Sequence, residues 1–317
     1  TRVNAQGLVE NVQILSSNLV QNGDFSEQGA EEVSNGSFSQ EGVELLSQPV
    51  NLVTDFTTNS GGVIVDADTF TTSGGAVDGI KKSSFLTVGK SYKLVIEGDT
   101  TSSGFTLGIL VNGNEYGSGF GTHYFKATTQ DLWVRQQTLG TTNITSFSIV
   151  EVGQDWVLTQ ATVGNGEATI ISPDGSYAAV YQDNVATIGK TYKCSIDVLS
   201  ISGTMQLRLG SGTDVDITTI GTKTFYINAA SSTIELKRKS GAGTLDVTIT
   251  NISVKEVGQN WEVNGGSYAS FANNVLNSNN TQNGNWFAEN VSQNISFVNG
   301  KKYIITFKAK NISGNLN

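Results

Sequence analysis

Ser146-Phe147-Ser148-Ile149-Val150-Glu151-Val152-Gly153-Gln154-Asp155-Trp156 returns as Asn251-Ile252-Ser253-Val254-Lys255-Glu256-Val257-Gly258-Gln259-Asn260-Trp261, 105 positions later. A repeat of this length marks stacked copies of one module. A second landmark occurs three times, as Val88-Gly89-Lys90-Ser91-Tyr92-Lys93-Leu94, Ile188-Gly189-Lys190-Thr191-Tyr192-Lys193-Cys194 and Asn299-Gly300-Lys301-Lys302-Tyr303-Ile304-Ile305. Its glycines are 100 and then 111 positions apart, and the excess falls between Trp261 and Gly300. Repeat families absorb insertions in loops in this way. A third landmark agrees, Gly121-Thr122-His123-Tyr124-Phe125-Lys126-Ala127 matching the stretch from Gly221 to Ala229.

The texture of the module is that of strands. The chain has 36 Gly, only 2 Pro and 15% charged residues, and it lacks Leu-rich helical runs. Apolar residues alternate at period two in Tyr92-Lys93-Leu94-Val95-Ile96-Glu97, in Thr204 to Leu209, in Thr233 to Arg238 and in Leu245 to Val254. Such strands bury one face and wet the other, which belongs to antiparallel sheets. About a hundred residues of short strands between Gly and Asn turns is the size of a β-sandwich. The expected fold is all-β, with tandem antiparallel sandwiches in an elongated array.

Four regions follow: an N-terminal attachment or oligomerisation segment over 1–48, a first module over 49–155, a second over 156–260, and the first half of a third over 261–317. Half a sandwich leaves its inner sheet face wet, so the third region is expected to be completed by a longer polypeptide or by a partner. The N-terminal segment carries its own duplication: Asn22-Gly23-Asp24-Phe25-Ser26-Glu27-Gln28-Gly29 is echoed 13 positions later by Asn35-Gly36-Ser37-Phe38-Ser39-Gln40-Glu41-Gly42. Each copy reads as a turn followed by one buried Phe. The segment has two readings, docking on the first module or pairing with neighbouring chains through the apolar stretch Gly7 to Leu15.

Several chemistries are excluded or weakened. The apolar runs are far shorter than a membrane span. A net charge of -9 and a pI near 4.7 repel phosphate, which argues against nucleic acid. The one Cys, Cys194, falls on a core-facing strand position. The one His, His123, stands where the next copy has Lys223 and reads as a surface residue of the repeat. No nucleophile turn accompanies either, so no enzyme is expected. Asp66 with Asp68, and Asp214 with Asp216, are the carboxylate pairs. Asp214 and Asp216, near Asp183, are the candidates for a structural calcium, although neither pair fits the twelve-residue calcium loop.

The aromatic residues carry the remaining signal. Trp156 and Trp261 stand at identical places at module starts, where a ring packs across the boundary and fixes the angle between neighbours. Trp133, Tyr116, Tyr181 and Trp286, with Tyr177, vary between copies and lie in or near turns or outer strands. A flat ring beside Asn, Gln or Asp suits a sugar, whose C–H face packs on the ring while its hydroxyls form hydrogen bonds. The first four are therefore the glycan-stacking candidates.

Asn18-Leu19-Val20-Gln21-Asn22-Gly23-Asp24-Phe25-Ser26, the Val88 to Leu94 landmark and Ile252-Ser253-Val254-Lys255-Glu256-Val257-Gly258 together resemble the jelly-roll carbohydrate-binding modules of xylanases and glucanases, which are repeated in many tailed-phage structural proteins. The start, Thr1 to Glu10, is similar to segments that introduce such arrays in phages of marine and gut Bacteroidetes. The resemblance implies jelly-roll topology and no catalysis. Where family members carry a calcium-holding Asp in the last strand, this chain has Thr142-Asn143-Ile144-Thr145 and Thr250-Asn251-Ile252-Ser253. From this likeness the chain is expected to be a phage virion protein, a tail fibre or capsid decoration for host attachment. Its expected partners are other virion proteins, a host surface polysaccharide and its own copies in a homo-oligomer, with a trimer expected from how fibres are built. The alternative is a secreted or surface bacterial protein whose modules bind polysaccharide beside an enzyme domain outside this sequence.

Overall fold

The computed structural model describes residues 2–3, 9–10, 17–101, 107–111, 114–136, 138–264, 269–278 and 290–310. The protein is all-β, with antiparallel sheets arranged as tandem sandwich-like modules and, among the described residues, one four-residue helical turn, Leu52–Asp55. In the first sandwich one sheet runs Asn114–Ser118, Leu107–Val111, Leu132–Gln136, Gly79–Lys82, Thr57–Asn59. The other runs Gly121–Lys126, Ser91–Thr100, Gly140–Val152, Thr69–Thr72, Val63–Ile64. The second sandwich repeats both orders, with Val157–Thr159, Ala179–Gln182, Ile234–Arg238, Met205–Arg208, Val215–Ile217 facing Ala161–Gly164, Glu167–Ser172, Leu245–Val257, Thr191–Ser202, Gly221–Asn228.

The period-two pattern explains which residues meet between the sheets. Tyr92, Leu94 and Ile96 are buried from one side of their strand, as are Tyr192, Cys194 and Ile196 from the equivalent strand. They pack with Phe70, Ile80, Leu132, Val134 and Phe147 in the first core, and with Ile170, Val180, Leu207, Leu236 and Val254 in the second. Each such side chain contributes about 1.5–3 kcal/mol by leaving water.

The second landmark is a turn closed in the same way three times. Lys90, Lys190 and Lys301 each donate a backbone N–H to the residue three positions earlier, at 3.2 Å. The tyrosine that follows accepts a backbone N–H on its hydroxyl: Thr87 to Tyr92 at 2.9 Å, Thr187 to Tyr192 at 2.8 Å, Val298 to Tyr303 at 2.7 Å. Beyond this third turn, Ile305 and Phe307 are 78% and 75% exposed, whereas their counterparts Leu94 and Ile96 are fully buried.

The repeated motif that ends in Trp is a second turn, with unusual backbone demands. Gly153 and Gly258 have φ of +72° and +74°, and Asp155 and Asn260 both have +71°. Gly occupies this region freely, and Asp and Asn more readily than other residues. A side chain at Gly258 would also run into the Phe271 ring, since its Cβ would lie 2.2 Å from Phe271 Cδ2. Trp156 and Trp261 close the turns by donating backbone N–H to Gly153 and Gly258.

The N-terminal segment lies against those turns, and against both sandwiches, not the first alone. The 13-residue strands Gly140–Val152 and Leu245–Val257 close their sandwiches. Their first halves pair with Thr69–Thr72 and Glu167–Ser172, and their second halves with N-terminal strands, Glu41–Glu44 on the first and Gln28–Glu31 on the second. Residues 22–44 therefore form a strap that runs back along the repeat, covering sheet edge that would otherwise be open. Trp156, 6% exposed, packs on Phe38 at 5.2 Å between ring centres and donates Nε1–H to the Asn35 carbonyl at 3.0 Å. Trp261 packs on Phe25 at 5.4 Å and donates to the Asn22 carbonyl at 3.1 Å. Val33 and Phe38 from the strap, and Val150 and Val152 from the end of the first sandwich, belong to the core of the second. Of the apolar stretch Gly7 to Leu15, Val9–Glu10 pairs with Arg2–Val3, and its other residues lie outside the described ones.

One loop depends on a carboxylate. Asp78, 2% exposed, accepts from Ser73 Oγ at 2.7 Å and from the backbone N–H groups of Gly75 and Gly61, both at 2.9 Å. These bonds favour the ionised form and hold its pKa far below the ordinary 3.8, the Ser73 hydroxyl contributing most. The stabilisation is complete above 3.8 and fades as pH falls through the folded value. Asp78→Asn is therefore expected to lower the urea midpoint at pH 7, with the gap to wild type shrinking below pH 4. Trp156→Ala is expected to cost about 3–5 kcal/mol in denaturant unfolding, as for other buried Trp truncations.

Candidate functional site

Alternation that buries one face of each five-stranded sheet turns a second set of side chains outward. In the first sandwich, cross-strand register lines up Thr57, Lys81 and Trp133 in one row, and Asn59, Gly79 and Arg135 in the next. The neighbours between them along each strand, Ile80, Leu132 and Val134, are fully buried. Lys81 Nζ stands 5.9 Å from the Trp133 ring centre and 3.9 Å from Asp131. Arg135 donates to the Ala76 carbonyl at 3.4 Å. This face joins one indole to two cations.

The matching rows of the second sandwich are Val157, Tyr181, Glu235, Arg208 and Thr159, Ala179, Lys237, Gln206, Asp216. Glu235 is 7% exposed, and its carboxylate is compensated on both oxygens: the Tyr177 hydroxyl donates to Oε1, and Arg208 Nε lies 2.5 Å from Oε2. Partial burial first, and then the hydrogen bond to Glu235, push the Tyr177 phenol well above the usual tyrosine range. The phenol therefore stays protonated and its ring, 49% exposed, is held at the edge of the face. Lys237 pairs with Asp214 at 3.5 Å, Gln206 Nε2 donates to Asp216 at 2.9 Å, and Lys239 pairs with Asp216. The Lys239 hydrogen bond, then that of Gln206, lowers the Asp216 pKa.

Trp133 and Tyr181 thus stand on the equivalent sheet of successive sandwiches, one strand apart, with Lys81 at the Tyr181 position and Glu235 at the Trp133 position. Tyr116 belongs to the strand Asn114–Ser118 at the edge of the first of these sheets, and Trp286 lies outside the described residues. Asp214 and Asp216 are each engaged by a lysine, and among the described residues no group of three His, Cys, Asp or Glu side chains gathers as metal ligands would. Tyr177, Glu235 and Arg208 were missed as a group. Their spacing in sequence carries no signal, because two strands and the loop ahead of a third bring them together.

The residues considered for catalysis sit apart from this chemistry. His123 Nε2 lies 3.0 Å from the Gly119 carbonyl, in the connection just ahead of its own strand, and Lys223 in the next copy makes the matching reach to Thr219 Oγ1 at 2.7 Å. Cys194 is fully buried, and burial, with a smaller effect of the Glu31 charge, pushes its thiol up to about 12. No described helix is long and apolar enough to cross a membrane.

No protein-family model matches the chain, and none of the curated proteins is similar to it. Among solved structures it is similar to the N-terminal tandem of two CBM22 domains from Paenibacillus barcinonensis Xyn10C. That match has 11% identity and a TM-score of 0.25, over 69% of this chain and 98% of the other. This finding corrects the expectation of a phage virion protein: the likeness is to a pair of bacterial modules, and the tail-fibre, capsid-decoration and host-attachment roles are withdrawn.

The burial of Cys194 has a direct test. Cys194 is expected to resist alkylation in the native protein at pH 8 and to react on unfolding, as followed by mass spectrometry. Native labelling at the rate of a free thiol would contradict the burial.

Proposed function

We propose that the chain is a polysaccharide-binding tandem module of a secreted or surface-exposed protein, with the outward faces of the two five-stranded sheets as its binding surfaces. The observation that carries this reading is the outward placement of Trp133 on the first of these sheets and of Tyr181 on the second, one strand apart, with Tyr177 in the loop ahead of Ala179–Gln182, beside charged or amide groups held in place by their own partners. Rings fixed in this way offer a platform for the C–H face of a sugar, and neighbouring polar groups that are already oriented lose little freedom when hydroxyls replace water. Ordered sheets position such groups better than loops do. The ion pairs of the second face leave no lone charge to be desolvated by a neutral ligand.

Binding is tested by affinity electrophoresis of the whole chain in gels containing soluble plant or bacterial polysaccharides. Retardation by at least one polymer is expected, with Trp133→Ala and Tyr181→Ala each weakening it about two- to tenfold, the range for an aromatic contact. If no polymer retards the protein, or if the double substitution leaves retardation unchanged, the sheet faces are not the binding surfaces.

A further inference from the structure

The strap makes the same set of contacts twice, at two places 105 residues apart in the repeat. Asn22 and Asn35 each donate a side-chain N–H to the carbonyl of the Gln in the Val-Gly-Gln turn, Gln259 at 3.1 Å and Gln154 at 3.2 Å. Each accepts, on its own side-chain oxygen, the backbone N–H five residues later, from Glu27 at 3.1 Å and from Gln40 at 3.0 Å. Each contributes the carbonyl that takes the Trp indole N–H. Phe25 and Phe38 supply the ring against that indole. Glu31 accepts from Val254 N at 2.6 Å and Ser253 Oγ at 2.5 Å, and Glu44 from Ile149 N at 2.9 Å and Ser148 Oγ at 2.5 Å. Even the residue just ahead of each copy is held alike, Gln21 by Gln293 and Ser34 by Gln182, through both backbone groups.

Among the glycines of the strap the fit is tightest at Gly36, where a Cβ would stand 2.0 Å from the Ile252 carbonyl oxygen, whereas one on Gly29 or Gly42 would meet the movable side-chain ends of Gln259 and Gln154. Phe25 and Phe38 adopt φ of +56° and +53°, a region that bulky residues enter only when their surroundings require it. The same strained backbone at both places ties the conformation to the docked state, not to the particular flanking sequence.

We propose that the end of each sandwich, with the Trp of the next copy, is a peptide-recognition site for segments of the pattern Asn-Gly-x-Phe-Ser-x-x-Gly-x-Glu, and that it takes such a segment from a second copy of this chain as well as from its own. Recognition is local to the element. Each copy satisfies its turn internally, adds a short strand to the sheet edge, and reads its site through one ring, one amide and one carboxylate, which are the components of strand-addition recognition. The three residues between copies, 32–34, and the tether to the first sandwich raise the effective concentration of the chain's own strap. They do not form the contacts that select it.

The test uses the whole chain carrying Phe25→Ala and Glu31→Gln, which removes the ring and the carboxylate by which its own strap holds the site at Trp261, and a fluorescent peptide of residues 18–32 followed by anisotropy. Saturable binding to this variant is expected, at least tenfold tighter than to wild type, whose site is filled. A peptide of residues 33–46 is expected to bind within about tenfold of the first, and one carrying Phe25→Ala at least tenfold weaker. Should the double variant not unfold cooperatively, the same titration on Glu31→Gln alone decides the matter. No binding to a natively folded variant, or equal binding of the peptide with and without Phe25, would overturn the proposal.

Discussion

The ring of Phe38 against Trp156, with the indole N–H on the Asn35 carbonyl, is the contact on which the relation between the two sandwiches depends. A Trp in that place belongs at once to the turn that ends one module and to the core that begins the next, so it cannot be buried by either alone. The strap supplies the missing wall. Burial of a large ring removes it from water, and the carbonyl satisfies a donor that would be costly to leave unpaired. The positive φ of Phe38 is the cost of bringing ring and carbonyl to the same indole, and the surrounding bonds of Asn35 and Glu44 hold it there. At Trp261 the same parts recur with Phe25 and Phe271.

The repeat made much of the fold legible in sequence. Because strands alternate, Tyr92, Leu94 and Ile96 declared their buried face, and the recurrence of Gly-Lys-x-Tyr located a turn two of whose hydrogen bonds recur in all three copies. The 13-residue echo was equally visible, and so was one Phe in each copy. Their destination was not. Glu31 meets Val254 across 223 positions, and no local pattern reports such a distance. The docking was hidden for a second reason: the copies attach in reverse order, the first to the second sandwich and the second to the first.

The outward faces show the same division between what is local and what is not. Trp133 and Tyr181 could be picked out as rings that vary between copies. That Lys81 and Tyr181 fill the same place, and Trp133 and Glu235 the same place, needed the register of three strands. Lys237 and Lys239, distant in sequence from Asp214 and Asp216, meet them across the intervening strand Met205–Arg208 and take up carboxylates that had suggested calcium. One scaffold thus carries two unlike surfaces, an indole with cations on the first and a compensated network of tyrosine, carboxylate and guanidinium on the second.

Amide hydrogen exchange resolved by residue gives the most direct check on the strap. Glu32 and Leu45 each donate a backbone N–H to a closing strand, to Val254 and Ile149, both at 3.0 Å. If the strap is an integral part of both sandwiches, these two amides exchange slowly, in step with those of the central strands around Leu94 and Cys194. Exchange at the rate of an unstructured peptide, with the central strands still protected, would mean that the sandwiches close without it.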